Sequence, residues 1–393
     1  MSLKNQSGDG AGTIAAALTI YCRPLHFFRI YLKIPLDKND LPFSLSYAVS
    51  RQAQPGVERS MSETGFLCEK RALVTGAGGF IGSHVVEQLV DRGYEVICLM
   101  QYGENPRWIR DLPVRLVEGD LLDRNSLRRA TAGVPLVIHL AGRLGGWADA
   151  AMIEEVNIGG TRNLYEAFRD CGRNQRRFLF VSSLAAVGGT PPMGIYDESH
   201  EAAPISDYGQ SKLRAERYLQ AQDIPATVVR LPLVYGPRGF RGMYPLFKLA
   251  ARGLQLSIGK TSSIVGFVKD IAHGIMQAAE NATAAGEVYF LGEDRIYNSK
   301  EICAAVGAAG GRRTVKIRLP YPLLYSSAFL MEMTAKLSNK NPLIWRRTLT
   351  EYLHRHYRFS TNKARRDFGF ASRVPLDAGV RLTAEWYRRH GHL

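Results

Sequence analysis

Residues 73–86 read LVTGAGGFIGSHVV, and the fold turns on how that run is understood. Gly76, Gly79 and Gly82 lie between an apolar run, RALVT at 71–75, and a helix-like run, GSHVVEQLVDRG at 82–93, that closes on a glycine. Glycine permits a tight turn, brings backbone amides close to a pyrophosphate, and lets the helix pack against the strand. The amino end of the helix adds unpaired N–H groups and a dipole that attracts anions. A glycine triplet alone says little. Between a strand and a helix it marks a dinucleotide-binding turn.

Beyond that run, EVICLM (95–100), VRLVEGDL (114–121), PLVIHLAG (135–142), RFLFVSSLAAV (177–187) and ATVVRLPLVYGP (226–237) read as strands. The helical stretches VNIGGTRNLYEAFRDCG (156–172) and SDYGQSKLRAERYL (206–219) alternate with them. This alternation predicts an α/β chain, a Rossmann-type doubly wound parallel sheet with helices on both faces. After Pro237 the pattern loosens into helix-like segments such as GMYPLFKLAARG (242–253) and short strands such as EVYFLG (287–292). These predict a smaller mixed C-terminal lobe over the carboxyl edge of the sheet, where ligands bind in such folds. The expected organisation is an N-terminal extension at 1–66, a dinucleotide-binding core at 67–237, and a substrate-binding lobe at 238–393 with some segments returning to the core.

Residues 1–66 differ in character. MSLKNQSGDGAG is polar and glycine-rich, and the apolar stretch that follows is broken by Arg23, Pro24, His26 and Arg29. It falls short of the roughly 18 uninterrupted apolar residues of a membrane span and fits a signal peptide poorly. Met61 opens MSETGFLCEKRALVTG, a compact run into the first strong strand. The expectation is that the folded protein begins near Met61, after a flexible extension or an over-long start.

The five cysteines, Cys22, Cys68, Cys98, Cys171 and Cys303, are scattered and odd in number. They form neither a disulfide framework nor a zinc site, which fits a reducing compartment such as the cytoplasm. The histidine pairs His354/His356 and His390/His392 lack neighbouring cysteines or a carboxylate cluster, so no metal is expected. Net charge is +15, with most of the excess after residue 311. No nucleic-acid-binding motif accompanies it, so nucleic acid is not an expected partner. Solvated helix faces account for most of the charge, and the basic C-terminal region around Trp345 is a candidate peripheral contact with an anionic membrane.

TGAGGFIG, GDLLD, HLAG, VNIGGTRNL, VSS, YGQSK and RLPLVYGP occur in that order from about residue 70 onward. In this the chain resembles the extended short-chain dehydrogenase/reductases of the NAD-dependent epimerase/dehydratase family. The resemblance implies a nicotinamide cofactor held at Thr75, Gly76, Gly79, Phe80, Ile81 and Gly82. It implies Asp120 and Leu121 beside the adenine, and Ala141 and Gly142 along the cofactor. Asn157 would lie on a central helix near the site, as a catalytic or a buttressing residue, with Pro232 and Val234 near the nicotinamide. It also implies a homodimer through the helix that carries Tyr208.

Tyr208 and Lys212 are four residues apart, one helical turn on one face. Ser206 or Asp207 would cap that helix. VSS ends the preceding strand, with Ser183 25 residues before Tyr208 and Ser182 as the adjacent alternative. Positive charge beside a tyrosine favours tyrosinate. Tyr208 would then exchange a proton with a substrate oxygen while hydride passes to or from the cofactor. Ser183 would hydrogen-bond that oxygen, and Lys212 would also hold the cofactor ribose.

An acid at the end of the second strand selects NAD and an arginine accepts the 2′-phosphate of NADP. Met100 and Gln101 stand at those positions, so neither rule is met. With no acid to repel a phosphate, and with Arg107 and Arg110 nearby, the reading inclines to NADP over NAD, through Gln101 and Arg107.

For the substrate, Leu233 stands where nucleotide-sugar enzymes of the family carry asparagine, and Ser263 where they carry a pyrophosphate-binding arginine. Arg238 or Arg241 can substitute. RLPLVYGP and YPLLYSSAFLMEM are similar to the branch with dihydroflavonol reductases and 3β-hydroxysteroid dehydrogenases. There Tyr321, Leu323, Leu324 and Phe329 would line an apolar pocket or form an ordinary buried helix. The leading expectation is an NAD(P)-dependent oxidoreductase interconverting a secondary alcohol and a ketone on a small-molecule substrate. The alternatives are a nucleotide-sugar epimerase or dehydratase with retained NAD, and a non-catalytic cofactor-sensing protein of the same fold.

Overall fold

Short apolar runs rich in β-branched residues, each followed by an amphipathic helix, can bury both faces only as a parallel sheet between two helical layers. In the computed structural model the strands are β1 (Arg71–Thr75), β2 (Glu95–Met100), β3 (Arg115–Glu118), β4 (Leu136–His139), β5 (Arg177–Ser183), β6 (Ala226–Leu231) and β7 (Val288–Phe290). They form one sheet in the order β3-β2-β1-β4-β5-β6-β7, every pair parallel. Strand order reverses between β1 and β4, the switch point at which a crevice opens at the carboxyl edge.

The structure describes residues 70–144, 150–170, 176–257, 260–318, 320–338 and 355–393, positions 346 and 350, and two strands near the amino terminus. Two units are distinguished, 1–62 and 63–393. In the first, Thr13–Thr19 and Arg29–Pro35 pair antiparallel. Met61 and the boundary expected near residue 66 lie outside the described residues.

The principal helices are α1 (Phe80–Asp91), α2 (Arg124–Thr131), α3 (Thr161–Arg169), α4 (Asp207–Gln220) and α5 (Val268–Glu280). Val85, Val86 and Leu89 of α1 share one core with Ile271, Ile275 and Met276 of α5. Leu127 of α2, Leu164 and Phe168 of α3, and Ala215 and Leu219 of α4 fill a second. A short helix, Ala150–Glu154, and a π-helical turn, Glu155–Gly160, lead into α3.

Beyond Pro237 the chain serves two layers, which is why its sequence pattern is loose. α5 and β7 complete the sheet layers, and Ala364 and Phe370 are buried in the same core as α1. The lobe has its own core of Tyr235, Phe247, Phe267, Val306, Val380 and Tyr387. Buried Glu293 ties it together by accepting from Tyr235 Oη (3.4 Å), Tyr297 Oη (2.6 Å) and the Leu376 amide (3.3 Å). Burial pushes its carboxyl group above the usual range.

Gly82 fixes how closely α1 approaches the turn, since a Cβ there would lie 2.0 Å from the Gly76 carbonyl oxygen. Gly82→Ala is expected to lower stability by about 1–3 kcal/mol, the usual cost of overpacking. Denaturant melts check this, and an unchanged midpoint would mean that the turn relaxes freely.

Candidate active site

The glycine turn brings three segments together. Gly76 has a left-handed backbone, φ +68°, and a Cβ on it would sit 2.9 Å from the Ala141 amide nitrogen that follows β4. Gly79 caps α1 with no side-chain hydrogen bond, its own amide donating to Gly76 O at 3.1 Å. A helix start without a side-chain cap, lined by glycines, suits a pyrophosphate. Phe80 and Ile81 open α1 directly behind the turn and are half-buried.

β1, β4 and the central helix are locked by a buried histidine that sequence reading passed over. The Ala141 amide donates to Thr75 Oγ1 (3.2 Å), and Thr75 Oγ1 meets His139 Nδ1 at 2.7 Å. His139 Nε2 meets Thr161 Oγ1 at 3.0 Å, whose hydroxyl donates to the Asn157 carbonyl at 2.6 Å. Each hydroxyl has one proton to give, so the chain runs one way only. Thr75 donates to Nδ1 and the Nε2–H donates to Thr161. Burial, with the Lys212 charge nearby, pulls His139 down to about 3, so the ring is a neutral strut at working pH.

Asn157 sits in the π-helical turn and is 2 % exposed. Its Oδ1 accepts from the Arg143 amide (2.7 Å), and its Nδ2 donates to Arg143 O (3.1 Å) and Ser211 Oγ (2.9 Å). Ser211 in turn donates to the Tyr208 carbonyl at 2.8 Å. Asn157 thus joins the loop after β4 to the first turn of α4.

Ser206 caps α4 through the Gly209 amide at 3.1 Å, which resolves the expected Ser206 or Asp207 cap. Gly209 presses α4 onto the end of β5, because a Cβ there would lie 2.2 Å from the Ala185 carbonyl oxygen. Ser183 ends β5 and accepts from the Ala185 amide at 3.1 Å. Ser183 and Tyr208, both half-buried, therefore stand on two backbones in direct contact. Ser182 points the other way along the strand and is consumed elsewhere, its hydroxyl donating to buried Glu216.

Lys212 Nζ donates to Val181 O of β5 at 3.0 Å and lies 4.5 Å from the Phe180 ring centroid. A Cβ on Gly142 would be 3.2 Å from both Lys212 Nζ and Asn157 Oδ1. Burial pulls Lys212 down to about 8, against the opposing charge of Glu216 one turn later. Glu216 is buried in a bidentate pair with Arg230 of β6, Nη2 to Oε2 2.7 Å and Nε to Oε1 3.2 Å. Arg230 stood in the sequence as the arginine before Leu233, but Glu216 as its partner did not. The signal was there: charged residues inside otherwise apolar element faces.

Of the expected cofactor residues, Gln101 bonds Asp120 Oδ2 at 3.1 Å, and Asp120 Oδ1 accepts from the Leu122 amide. Leu121 packs under Gly160, where a Cβ would come within 2.8 Å of it. Pro232 breaks β6 from the short strand Leu233–Tyr235, which holds Val234 opposite Gly266. Arg107 is held elsewhere, its guanidinium over Trp108 (4.5 Å) and Phe240 (5.4 Å). Glu104 approaches the turn instead. One carboxylate oxygen accepts from the Gln101 amide at 3.0 Å, and the other is 2.6 Å from where a Cβ on Gly78 would stand. Arg238 donates to Ser83 Oγ (3.1 Å) and pairs with Glu87. No group of metal-ligating side chains occurs among the described residues.

The family model for "NAD dependent epimerase/dehydratase family" matches residues 72–292. The chain is 30% identical to a ceramide reductase of Caulobacter vibrioides over 81% of its own length and 95% of that protein's. It is 27% identical to a mouse sterol-4-alpha-carboxylate 3-dehydrogenase, decarboxylating, over 80% and 90%. Among solved structures it is similar to the UDP-glucose 4-epimerase of Thermus thermophilus in complex with NAD. The two are 25% identical, with TM-score 0.65, over 81% of this chain and 99% of that one.

Because the Lys212 ammonium is disfavoured in the folded state, it weakens the fold below about pH 8. That penalty fades as pH rises from there toward the unfolded value of 10.5, where both states shed the proton. Lys212→Met is therefore expected to stabilise the fold at neutral pH by up to about 3 kcal/mol, and by little at about pH 10. Denaturant melts at both pH values check this. A variant weaker than wild type at neutral pH would mean that the bond to Val181 outweighs the burial.

Proposed function

The chain belongs to the NAD-dependent epimerase/dehydratase family, and from that premise we propose that it is an oxidoreductase interconverting a secondary alcohol and a ketone on an apolar, lipid-like substrate. The protein is an enzyme of the short-chain dehydrogenase/reductase type, with a nicotinamide dinucleotide as cofactor. The observation that carries the reading is the contact between β5 and α4, the two elements that bear Ser183, Tyr208 and Lys212, through Gly209 against Ala185 and Lys212 Nζ against the Val181 carbonyl.

A bound nicotinamide ring supplies or accepts the hydride. In the oxidative direction the Tyr208 oxygen takes the proton from the substrate hydroxyl as the carbon loses hydride; in the reductive direction it returns it. Ser183 Oγ donates a hydrogen bond to the same oxygen and so orients it. Lys212, buried behind them, lends the positive charge that favours tyrosinate. Glu216 raises the proton affinity of Lys212, and Arg230 and Ser182 hold Glu216 in place.

The substrate class rests on two supports. The relatives named as a ceramide reductase and a sterol dehydrogenase act on lipids. Two of the groups suited to a sugar-nucleotide pyrophosphate are replaced, by apolar Leu233 and uncharged Ser263, and of the two substitute arginines Arg238 is paired with Glu87, which leaves exposed Arg241. Losing such a clamp forgoes several charge-assisted hydrogen bonds of about 1.5–3 kcal/mol each.

For the cofactor, Glu104 supports NAD over the NADP to which the sequence inclines. Its carboxylate lies at the end of β2 beside the glycine turn, where an acid bonds ribose hydroxyls and repels a 2′-phosphate.

Turnover should change the nicotinamide absorbance in proportion to substrate consumed, whereas an epimerase that recycles its cofactor would show no net change. Tyr208→Phe is expected to lower kcat by about 10²–10⁴-fold while leaving cofactor affinity near wild type. Activity retained in that variant would remove the tyrosine from the chemistry. Fluorescence titration is expected to give a Kd for NADH about 10–100-fold below that for NADPH, with Glu104→Gln narrowing the gap. Tighter binding of NADPH by the wild-type protein would overturn the choice and return Arg107 to consideration.

A further inference from the structure

An amphipathic helix normally turns its large apolar side chains inward. The helix Tyr321–Ser338 reverses this. Among its described side chains the buried ones are the small Ala328 and Ala335, 1 % and 7 % exposed, while Leu323 is 59 % exposed, Phe329 43 %, Leu330 63 % and Met333 46 %. With Tyr325, these residues cover an arc of about 160° at 100° per residue. The arc lies opposite the two alanines. Leu323 and Phe329, expected to line a pocket or a core, therefore face outward.

The segment that leads into this helix is cationic. Arg312, Arg313 and Lys316 are exposed just before the helix. The one acidic residue between 311 and 338 is Glu332, and it is tied to Arg346 at 2.7 Å. The Arg346 guanidinium lies over Phe329 (4.7 Å) and Tyr325 (5.6 Å), so a cation rests on the apolar face itself. No helix among the described residues is long and apolar enough to cross a membrane.

We propose that Tyr321–Ser338 is an interfacial helix that lies flat in the surface of an anionic bilayer, with Leu323, Phe329, Leu330 and Met333 among the acyl chains and Arg312, Arg313 and Lys316 at the headgroups. An exposed apolar arc with cations close by in the sequence suits the surface of an anionic bilayer. Charge selects the bilayer over a second copy of the chain. A twofold contact through this face would bring its cationic flank near its own image, whereas anionic lipid neutralises it. The inference stands on exposure and charge alone, independently of the reaction proposed. Trp345, the aromatic residue expected in such a contact, lies outside the described residues.

The test is co-sedimentation of the full chain with vesicles of phosphatidylcholine, alone and with phosphatidylserine, beside size-exclusion chromatography without lipid. The wild-type protein is expected to pellet with the anionic vesicles at low salt, and less as salt rises. Leu323→Glu/Leu330→Glu alters exposed positions only, so its circular dichroism and melting should match wild type, while its partition falls at least about tenfold. Arg312→Gln/Arg313→Gln should lose about fivefold per residue on anionic vesicles and nothing on neutral ones. Wild-type protein that ignores anionic vesicles at low salt would overturn the proposal. So would a glutamate variant that binds as well as wild type, or one whose only change is a smaller oligomer in solution.

Discussion

A buried ammonium needs an oxygen to bond and an anion to balance it, and much of this architecture supplies both to Lys212. The Val181 carbonyl at the end of β5 accepts from it, and Glu216 one helical turn later offsets part of its burial. Glu216 is itself buried and would be costly alone. Arg230 from β6 and Ser182 from β5 satisfy its oxygens. One charge in the site thus sets the composition of two neighbouring strands and a helix. A fold built for stability alone would place apolar residues there.

The second constraint is distance between backbones. Gly76 against Ala141, Gly82 against Gly76 and Gly209 against Ala185 each leave no room for a Cβ. These contacts bring the cofactor turn, the loop after β4 and the first turn of α4 to one edge of the sheet. His139 then holds β1, β4 and the central helix in register through hydroxyls that each have one proton to give. Its neutrality follows from burial, with the Lys212 charge nearby adding to it.

The lobe obeys a different logic. Its core is aromatic and tied by polar groups such as Glu293, while one of its helices offers large apolar residues to the outside. Apolar area exposed on this scale has a cost in water that only a partner removes. A lipid-like substrate and a membrane-facing helix would suit one another, since both belong at the same interface.

The strand–glycine–helix run, the alternation of strands and helices, and YGQSK were legible in the sequence because each is local. Periodicity and turn chemistry act over a few residues, and they carried the doubly wound sheet, the glycine turn and the placing of Tyr208 and Lys212 on one helix. That Ser182 is bonded to Glu216, 34 residues away, was not legible locally. His139 needed Thr161 and Thr75 before its role could be read, and Arg107 needed Phe240. Glu104 entered only because its turn folds back toward Gly78. The helix at 321–338 reads as ordinary core until the alanines are seen inside and the leucines outside. Local pattern was enough for the sheet strands, their order and the residue types that bear chemistry, though the helices Arg124–Thr131 and Ala150–Glu154 did not stand out. Which neighbour each side chain bonds, and which face of a helix meets water, follows from contacts between residues far apart in the chain and so is legible in the folded molecule alone.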